Sequence, residues 1–217
     1  RWAKEKGLPS SFGHKKGAST LTTIVKEALN LNIKILTVFA FSTENWNRAT
    51  KEINQLMKLF EMYLKQQAKF MQKHGVRLHA IGDVSKFSKK LQTVFEDVEE
   101  KTSKGKKLDL VLAINYGSRD EMKRSFMKIL KDYEDKKINK EDLSEEKISS
   151  YLDTAKFSDP ELLIRTSGVN RLSNFLLWQC AYSEIYITKD YWPDFTKDHL
   201  KKAILSYQKR NKRLRGA

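Results

Sequence analysis

The chain has a single cysteine, Cys180, in 217 residues. A disulfide framework and a cysteine-rich zinc site are therefore excluded, and a reducing compartment is the natural setting. Long apolar runs are also missing. The cleanest is Ile35-Leu36, broken by Thr37 and resumed over Val38 to Phe41. A membrane-spanning helix needs about 20 such residues. No signal-peptide pattern, internal repeat or second-domain boundary is visible. Acidic residues are in deficit: 42 Lys and Arg face 27 Asp and Glu, for a formal charge of +15. That balance points to anionic partners, whether nucleic acid, diphosphates or an acidic membrane surface. Much of the excess is lysine on helix-like segments (Lys86, Lys89, Lys90, Lys104, Lys106, Lys107), which reads first as a solvated surface. No helix-turn-helix, aromatic RNP-type strand or zinc motif accompanies the charge, so nucleic acid is not the expected partner.

What is present is a globular pattern. Hydrophobic residues make up 40% of the chain, too many for a disordered segment. The length fits one domain with a real core. Helical spacing covers Gly17 to Leu31, Glu52 to Lys73, Phe87 to Glu100, Arg119 to Tyr133, Ser144 to Leu152 and Thr196 to Arg210. Between them stand apolar, β-branched runs at Ile33 to Phe41, Val76 to Ile81, Leu108 to Ile114, Leu162 to Ile164 and Ile185 to Ile187. Strands separated by such helices predict a single α/β domain with a mostly parallel central sheet flanked by helices. Ligands in such folds sit at the carboxyl ends of strands. The highly charged segment Asp132 to Glu146 reads as a surface excursion.

The polar clusters fall at those ends. Arg165, Arg171 and Ser173 lie within nine residues, between Leu162-Leu163-Ile164 and the apolar run Phe175 to Trp178. Guanidinium forks and a hydroxyl against an apolar wall suit a ligand with an anionic head and a hydrocarbon body. Ser42-Thr43-Glu44-Asn45-Trp46-Asn47-Arg48 follows the first strand. Its Ser, Thr and Asn suit a capped turn, whereas Trp46 and Arg48 exceed what capping needs. Gly13-His14-Lys15-Lys16-Gly17 is read as the opening of the first long helix, where glycines and free amides favour an anion. It is not a P-loop, because no Gly-Lys-Ser/Thr follows. Glu184, ahead of Ile185-Tyr186-Ile187, either pairs with an arginine or binds a cation. The basic tail from Lys209 to Arg215 reads as a solvated end.

Taken in order, these segments resemble the cis-prenyltransferases, the undecaprenyl diphosphate synthase family. Arg1-Trp2-Ala3-Lys4 looks like the end of that family's Asp-Gly-Asn-x-Arg-Trp signature. Gly13-His14-Lys15 with Gly17, Phe41 to Arg48, Ile81-Gly82-Asp83, Asn115-Tyr116-Gly117, Arg165 to Gln179 and Trp192-Pro193-Asp194-Phe195 follow. In that signature the catalytic aspartate lies just upstream of the position of Arg1, and it is absent from this sequence. The resemblance implies a cytoplasmic homodimer that adds isopentenyl diphosphate units in cis to an allylic diphosphate such as farnesyl diphosphate. Long-chain undecaprenyl diphosphate is the implied product, and peripheral contact with an anionic membrane surface is compatible. It implies that Arg1, His14 and Arg48 hold the allylic diphosphate, with Trp2 also substrate-binding. Arg165, Arg171 and Ser173 would hold isopentenyl diphosphate, and Glu184 would help bind Mg²⁺. Ser42 and Asn45 would assist proton removal, and Trp46 would flank the reacting chains. Ala18, Ala40 and Leu108 would line an apolar tunnel for the product. Ser10, Val169 and the extra Arg215 depart from the family pattern. Trans-type enzymes bind metal through Asp-Asp-x-x-Asp clusters, and this chain contains no Asp-Asp pair. The competing readings are a non-catalytic partner subunit of a heteromeric enzyme and a basic nucleic-acid-binding protein.

Overall fold

A computed structural model describes residues 1–210. Helices α1 (Trp2–Glu5) and α2 (Ser10–Asn30) lead into strand β1 (Ile35–Ser42). They are followed by α3 (Thr50–His74), β2 (Val76–Ile81), α4 (Lys89–Thr102), β3 (Leu108–Tyr116), α5 (Ser118–Glu134) and α6 (Glu145–Ser149). Strands β4 (Leu162–Arg165) and β5 (Glu184–Ile187) and helix α7 (Lys197–Gln208) complete the described chain. Two compact units result: one from 32–158 and 173–178, the other from 1–31, 159–172 and the chain from Gln179 on. Every strand pair is parallel, as the alternating pattern predicts. The strands hydrogen-bond as a set of three and a set of two.

In the first unit the strand order is β1-β3-β2. Central β3 is buried almost throughout, because its apolar run is sandwiched on both faces. Edge strand β2 would expose a row of amides, and side chains close it. Leu78 N–H donates to Thr102 Oγ1 at 3.1 Å and Ala80 N–H to Glu99 Oε1 at 2.7 Å, both from α4. Gly82 N–H donates to Asp153 Oδ2 at 3.0 Å. Arg124 of α5 in turn grips Asp153 with two bonds of 2.8 and 2.6 Å. Buried Glu121 ties β3 to the same loop, accepting from Tyr116 Oη at 2.5 Å and Asp153 N–H at 3.0 Å.

His79 on β2 adds a pH-sensitive contact. Its Nε2 lies 2.9 Å from Asp109 Oδ1 and its Nδ1 lies 2.9 Å from Lys156 Nζ. A ring that accepts from an ammonium must be neutral. Burial pushes the imidazole below its ordinary value, and Lys156 and Arg77 add to this against the pull of Asp109. The folded state therefore binds fewer protons than the unfolded chain around pH 6, and this part of the stability, fully present above the unfolded value, is lost as pH falls from there through the lower folded one. The melting temperature should drop between pH 7.5 and 5.5, about the imidazole range. Lys156→Met should shrink that drop. An unchanged pH profile in the variant would rule the contact out.

In the second unit β4 and β5 pair in register from Leu162–Glu184 to Arg165–Ile187. Helix α7 is tied to Glu161, just before β4, through Tyr207 Oη at 2.8 Å, and to α2 through Lys201 and buried Glu27 at 3.2 Å. Helix α2 buries Thr20, Leu21, Ile24, Val25 and Ala28, a stripe at helical spacing. It starts at Ser10, behind Pro9. The segment Gly13 to Gly17 thus lies inside the helix rather than opening it, and the amides beyond Gly13 are committed to helical bonds. Gly17 serves packing: a Cβ there would stand 3.2 Å from Trp192 Cδ1, and Trp192 Nε1 donates to the Gly17 carbonyl at 3.0 Å. The segment Arg213-Leu214-Arg215-Gly216 lies outside the described residues.

Candidate active site

The first unit gathers the carboxyl ends of β1, β2 and β3. Near its end β1 carries a bulge. Phe39 pairs with Ala113 and Phe41 with Ile114, leaving half-buried Ala40 as the extra residue. Bulges re-aim the side chains that follow. The next turn is the capped one its composition allows. Ser42 Oγ accepts from the backbone of Asn45, and Asn45 Oδ1 accepts from Ser42 N–H at 3.2 Å. Both predicted catalytic residues thus also hold the loop. The cap uses each as an acceptor and leaves the hydroxyl and amide hydrogens outside it.

Trp46 is fixed on three sides. Its ring meets Phe41 edge-on at 5.3 Å and Phe87 at 5.8 Å, while its Nε1 donates to Asn115 Oδ1 at 2.7 Å. Arg48 is exposed and pairs with Glu52 one helical turn on, at 2.8 Å. Burial pushes the Glu44 carboxyl up, but hydrogen bonds from Asn174, its own backbone, Ser42 and Thr43 outweigh this and bring it below the usual range. Asn174 Nδ2 sits 2.9 Å from Glu44, and its Oδ1 accepts from Arg119 N–H at 2.9 Å. Gly117 makes room for both loops: a Cβ there would lie 2.5 Å from Thr43 Oγ1 and 2.7 Å from Asn174 Nδ2. Neighbouring Ser173 is half-buried, in the left-handed conformation at φ 53°. Phe175 stacks on Phe39 at 4.6 Å and Leu176 is buried, so the apolar run packs the core. Thr43, Trp46, Asp83, Lys86, Asn115 and Asp120 line a recess of about 350 Å³.

In the second unit Arg165 ends β4, and the loop beyond it is stapled to the chain after β5. Ser167 N–H donates to the Asp190 carbonyl and Gly168 N–H to the Thr188 carbonyl, each at 2.8 Å. Arg165 is partly buried, and its guanidinium is held below the usual arginine range, first by burial and then by repulsion from Arg171 and Arg1. Val169, which departs from the pattern of the family it resembles, is buried. Glu184 at the start of β5 forms an ion pair with Arg210, the arginine-paired alternative of the sequence reading. Trp2 is committed to packing, with Nε1 on Asp194 Oδ2 at 2.6 Å and Lys6 over its ring.

The predicted residues therefore divide. Arg1, Trp2, His14, Arg165, Arg171 and Glu184 belong to one unit; Ser42, Asn45, Trp46, Arg48 and Ser173 belong to the other. Of the tunnel residues, half-buried Ala18 lies in α2. Ala40 and buried Leu108 lie near opposite ends of the three-stranded sheet. Sequence reasoning gave no role to Asn115 or Asn174, the two carboxamides that join the loops. The motif Asn115-Tyr116-Gly117 after an apolar strand was the available signal for the first. Among the described residues no three His, Cys, Asp or Glu side chains gather to hold a metal ion, and no helix is long and apolar enough to cross a membrane.

Known proteins match this arrangement over its full length. An isoprenyl transferase of Clostridium tetani is 47% identical over 216 residues, covering 100% of this chain and 85% of that protein. One from Prochlorococcus marinus is 46% identical over 216 residues, covering 79% of its length. Among solved structures, the lavandulyl diphosphate synthase of Lavandula x intermedia, crystallised with dimethylallyl diphosphate, superposes with a TM-score of 0.93 at 33% identity. It covers 97% of this chain and 91% of its own. A probable undecaprenyl diphosphate synthase of Campylobacter jejuni gives 0.80 at 37% identity, with 91% and 90% covered. The protein is a prenyltransferase. It belongs to the undecaprenyl diphosphate synthase family, whose model matches residues 1–215.

Proposed function

We propose that the protein condenses isopentenyl diphosphate onto an allylic diphosphate such as farnesyl diphosphate, adding each unit in cis, and builds a long-chain polyprenyl diphosphate such as undecaprenyl diphosphate. The observation that carries this reading is the arginine cluster at the end of β4. Arg165 ends that strand partly buried, with Arg171 and Arg1 close enough for their charges to act on it, and guanidinium forks of this kind suit a diphosphate.

In this reading Arg165 and Arg171 bind the isopentenyl diphosphate, with Ser173 as a further donor, and Arg1, His14 and Arg48 bind the allylic diphosphate. As the allylic carbon–oxygen bond ionises, charge develops on the departing diphosphate, and fixed guanidinium donors stabilise it. The double bond of the second substrate attacks the allylic carbon, and a proton leaves near Ser42 and Asn45. Trp46, clamped by Phe41 and Phe87, flanks the reacting chains. Ala18, Ala40 and Leu108 border the path of the product.

A Mg²⁺ arriving on diphosphate oxygens would need only one or two carboxylates beside substrate phosphates and water. Glu184 is the carboxylate that would turn to it, leaving Arg210. When bound, the ion would neutralise diphosphate charge. A homodimer is part of the proposal. It is supported by Phe126, Met127, Leu130 and Tyr133, exposed together along α5, and sedimentation of the protein tests it.

The direct experiment incubates the full-length protein with labelled isopentenyl diphosphate, farnesyl diphosphate and Mg²⁺, and sizes the extracted lipids. Chains several units longer than the primer are expected, and EDTA should abolish them. Absence of any elongation would sink the reading in favour of a non-catalytic partner subunit. Full activity in EDTA would remove Mg²⁺ from it.

A further inference from the structure

The segment Asn115-Tyr116-Gly117 stands at the end of β3, and the function above gives it no task. Asn115 is nearly fully buried and adopts the left-handed conformation at φ 45°. Asparagine is one of the few residues that enters this region readily. The backbone turn brings the carboxamide between two loops. Its Oδ1 accepts from Trp46 Nε1 at 2.7 Å, and its Nδ2 donates to the Asp83 carbonyl at 2.8 Å. The Asn115 carbonyl accepts from Asp83 N–H at 3.3 Å. One buried side chain thus joins the turn after β1, the turn after β2 and the end of β3. Trp46 and Asn115 both line the recess.

Trp46 is 37% exposed, and Phe41 and Phe87 hold its ring by apolar contact, which does not by itself set where Nε1 points. A hydrogen bond to Nε1 removes the remaining freedom, because it fixes the ring about its own plane.

We propose that Asn115 is a positioning residue for the condensation: its carboxamide oxygen holds the Trp46 indole in the orientation that confines the reacting chains. This rests on the prenyl-transfer reading and on Trp46 belonging to its site. Displacement of a positioning group by about 1 Å is enough to lower turnover by roughly 100-fold, while substrate anchoring by the arginines is untouched.

Two variants separate this role from simple loop support. Asn115→Gly removes the carboxamide at a φ that glycine tolerates. Asn115→Asp keeps an acceptor for the indole and the left-handed backbone but loses the donor to Asp83. The expected result is that Asn115→Gly lowers kcat by about 10- to 100-fold with KM for both diphosphates within about threefold. Asn115→Asp should recover most of that loss. In a ¹⁵N-indole spectrum, which carries the cross-peaks of four tryptophans, the Trp46 peak, assigned by its loss in Trp46→Phe, should shift in Asn115→Gly and return in Asn115→Asp. Asn115→Gly added to Trp46→Phe should cost little more than Trp46→Phe alone. Equal kcat losses in the glycine and aspartate variants would assign Asn115 to loop support and overturn the proposal, as would full additivity with Trp46→Phe. If the glycine variant does not fold, the aspartate variant and the wild-type indole peak still decide. A wild-type protein that makes no product, yet shows a protected Trp46 indole, would instead overturn the functional reading and this role with it.

Discussion

Gly82→Ala should cost the protein about 3 kcal/mol or more of folding stability. Gly82 follows β2 with φ at 105°, a region that residues with a side chain rarely enter. Space is the harder constraint. A Cβ there would stand 2.1 Å from the Ile114 carbonyl oxygen and 3.0 Å from that of Asn115. Both atoms are backbone of the strand at the centre of the sheet, so neither can yield as a flexible side chain would. Moving Gly82 away would break its bond to Asp153 and drag Asp83 off Asn115. Gly168 provides the control. Its φ is 62°, but a Cβ added there would have its nearest neighbour 3.9 Å away. Gly168→Ala should therefore cost only the conformational term, about 1–2 kcal/mol. Urea denaturation of the two variants tests the difference, and equal midpoints would show that the close approach to Ile114 does not matter.

This contrast also marks what sequence reasoning reaches. Gly82-Asp83 is readable as the stop of an apolar strand, yet nothing in it tells that a carbonyl from a strand some thirty residues later will press against the glycine. Strands β1, β2 and β3 are legible because buried parallel strands need continuous β-branched and aromatic runs, and those runs are conspicuous between amphipathic helices. Their ends move by a residue or two, since termini are set by caps and bulges rather than by periodicity. The pairing of β4 with β5 separately from the other three is not legible. Leu162 to Ile164 and Ile185 to Ile187 are short apolar runs that would suit any neighbour.

The site shows the same division. The loop from Ser42 to Arg48 supports two readings from composition, a capped turn and a functional loop. The capping box between Ser42 and Asn45 realises the first without excluding the second. For Gly13 to Gly17 the two readings part: a helix interior and the Trp192 ring account for Gly17, and the free amides expected of a helix start are not there. Asn115 and Asn174 escaped because a carboxamide in a polar loop looks like any turn residue. Their work is visible only when hydrogen bonds between distant segments are known. Charge is the opposite case. Arg165 and Arg171 stand out in sequence because a guanidinium beside a buried strand is costly, and the Arg165 guanidinium is held below the usual range first by burial and then by the charges of Arg171 and Arg1.

Arg171→Ala should separate binding from stability. Arg171 is exposed and faces the partly buried Arg165 with the same charge. Removing it takes away repulsion, so the melting temperature should hold or rise slightly. A guanidinium bonded to a phosphate oxygen contributes about 2–3 kcal/mol, which is roughly a 30- to 140-fold change in affinity. The KM for isopentenyl diphosphate should rise by that factor, while the KM for the allylic primer changes by less than about threefold. Arg171→Lys should recover only part of the loss, because an ammonium restores the charge but not the planar fork. Groups gathered for binding at the expense of folding show this pairing of lost function with retained or improved stability. Equal losses for both substrates would move Arg171 out of the isopentenyl site. A protein destabilised by the substitution would mean that the arginines are held together by internal partners rather than by a ligand.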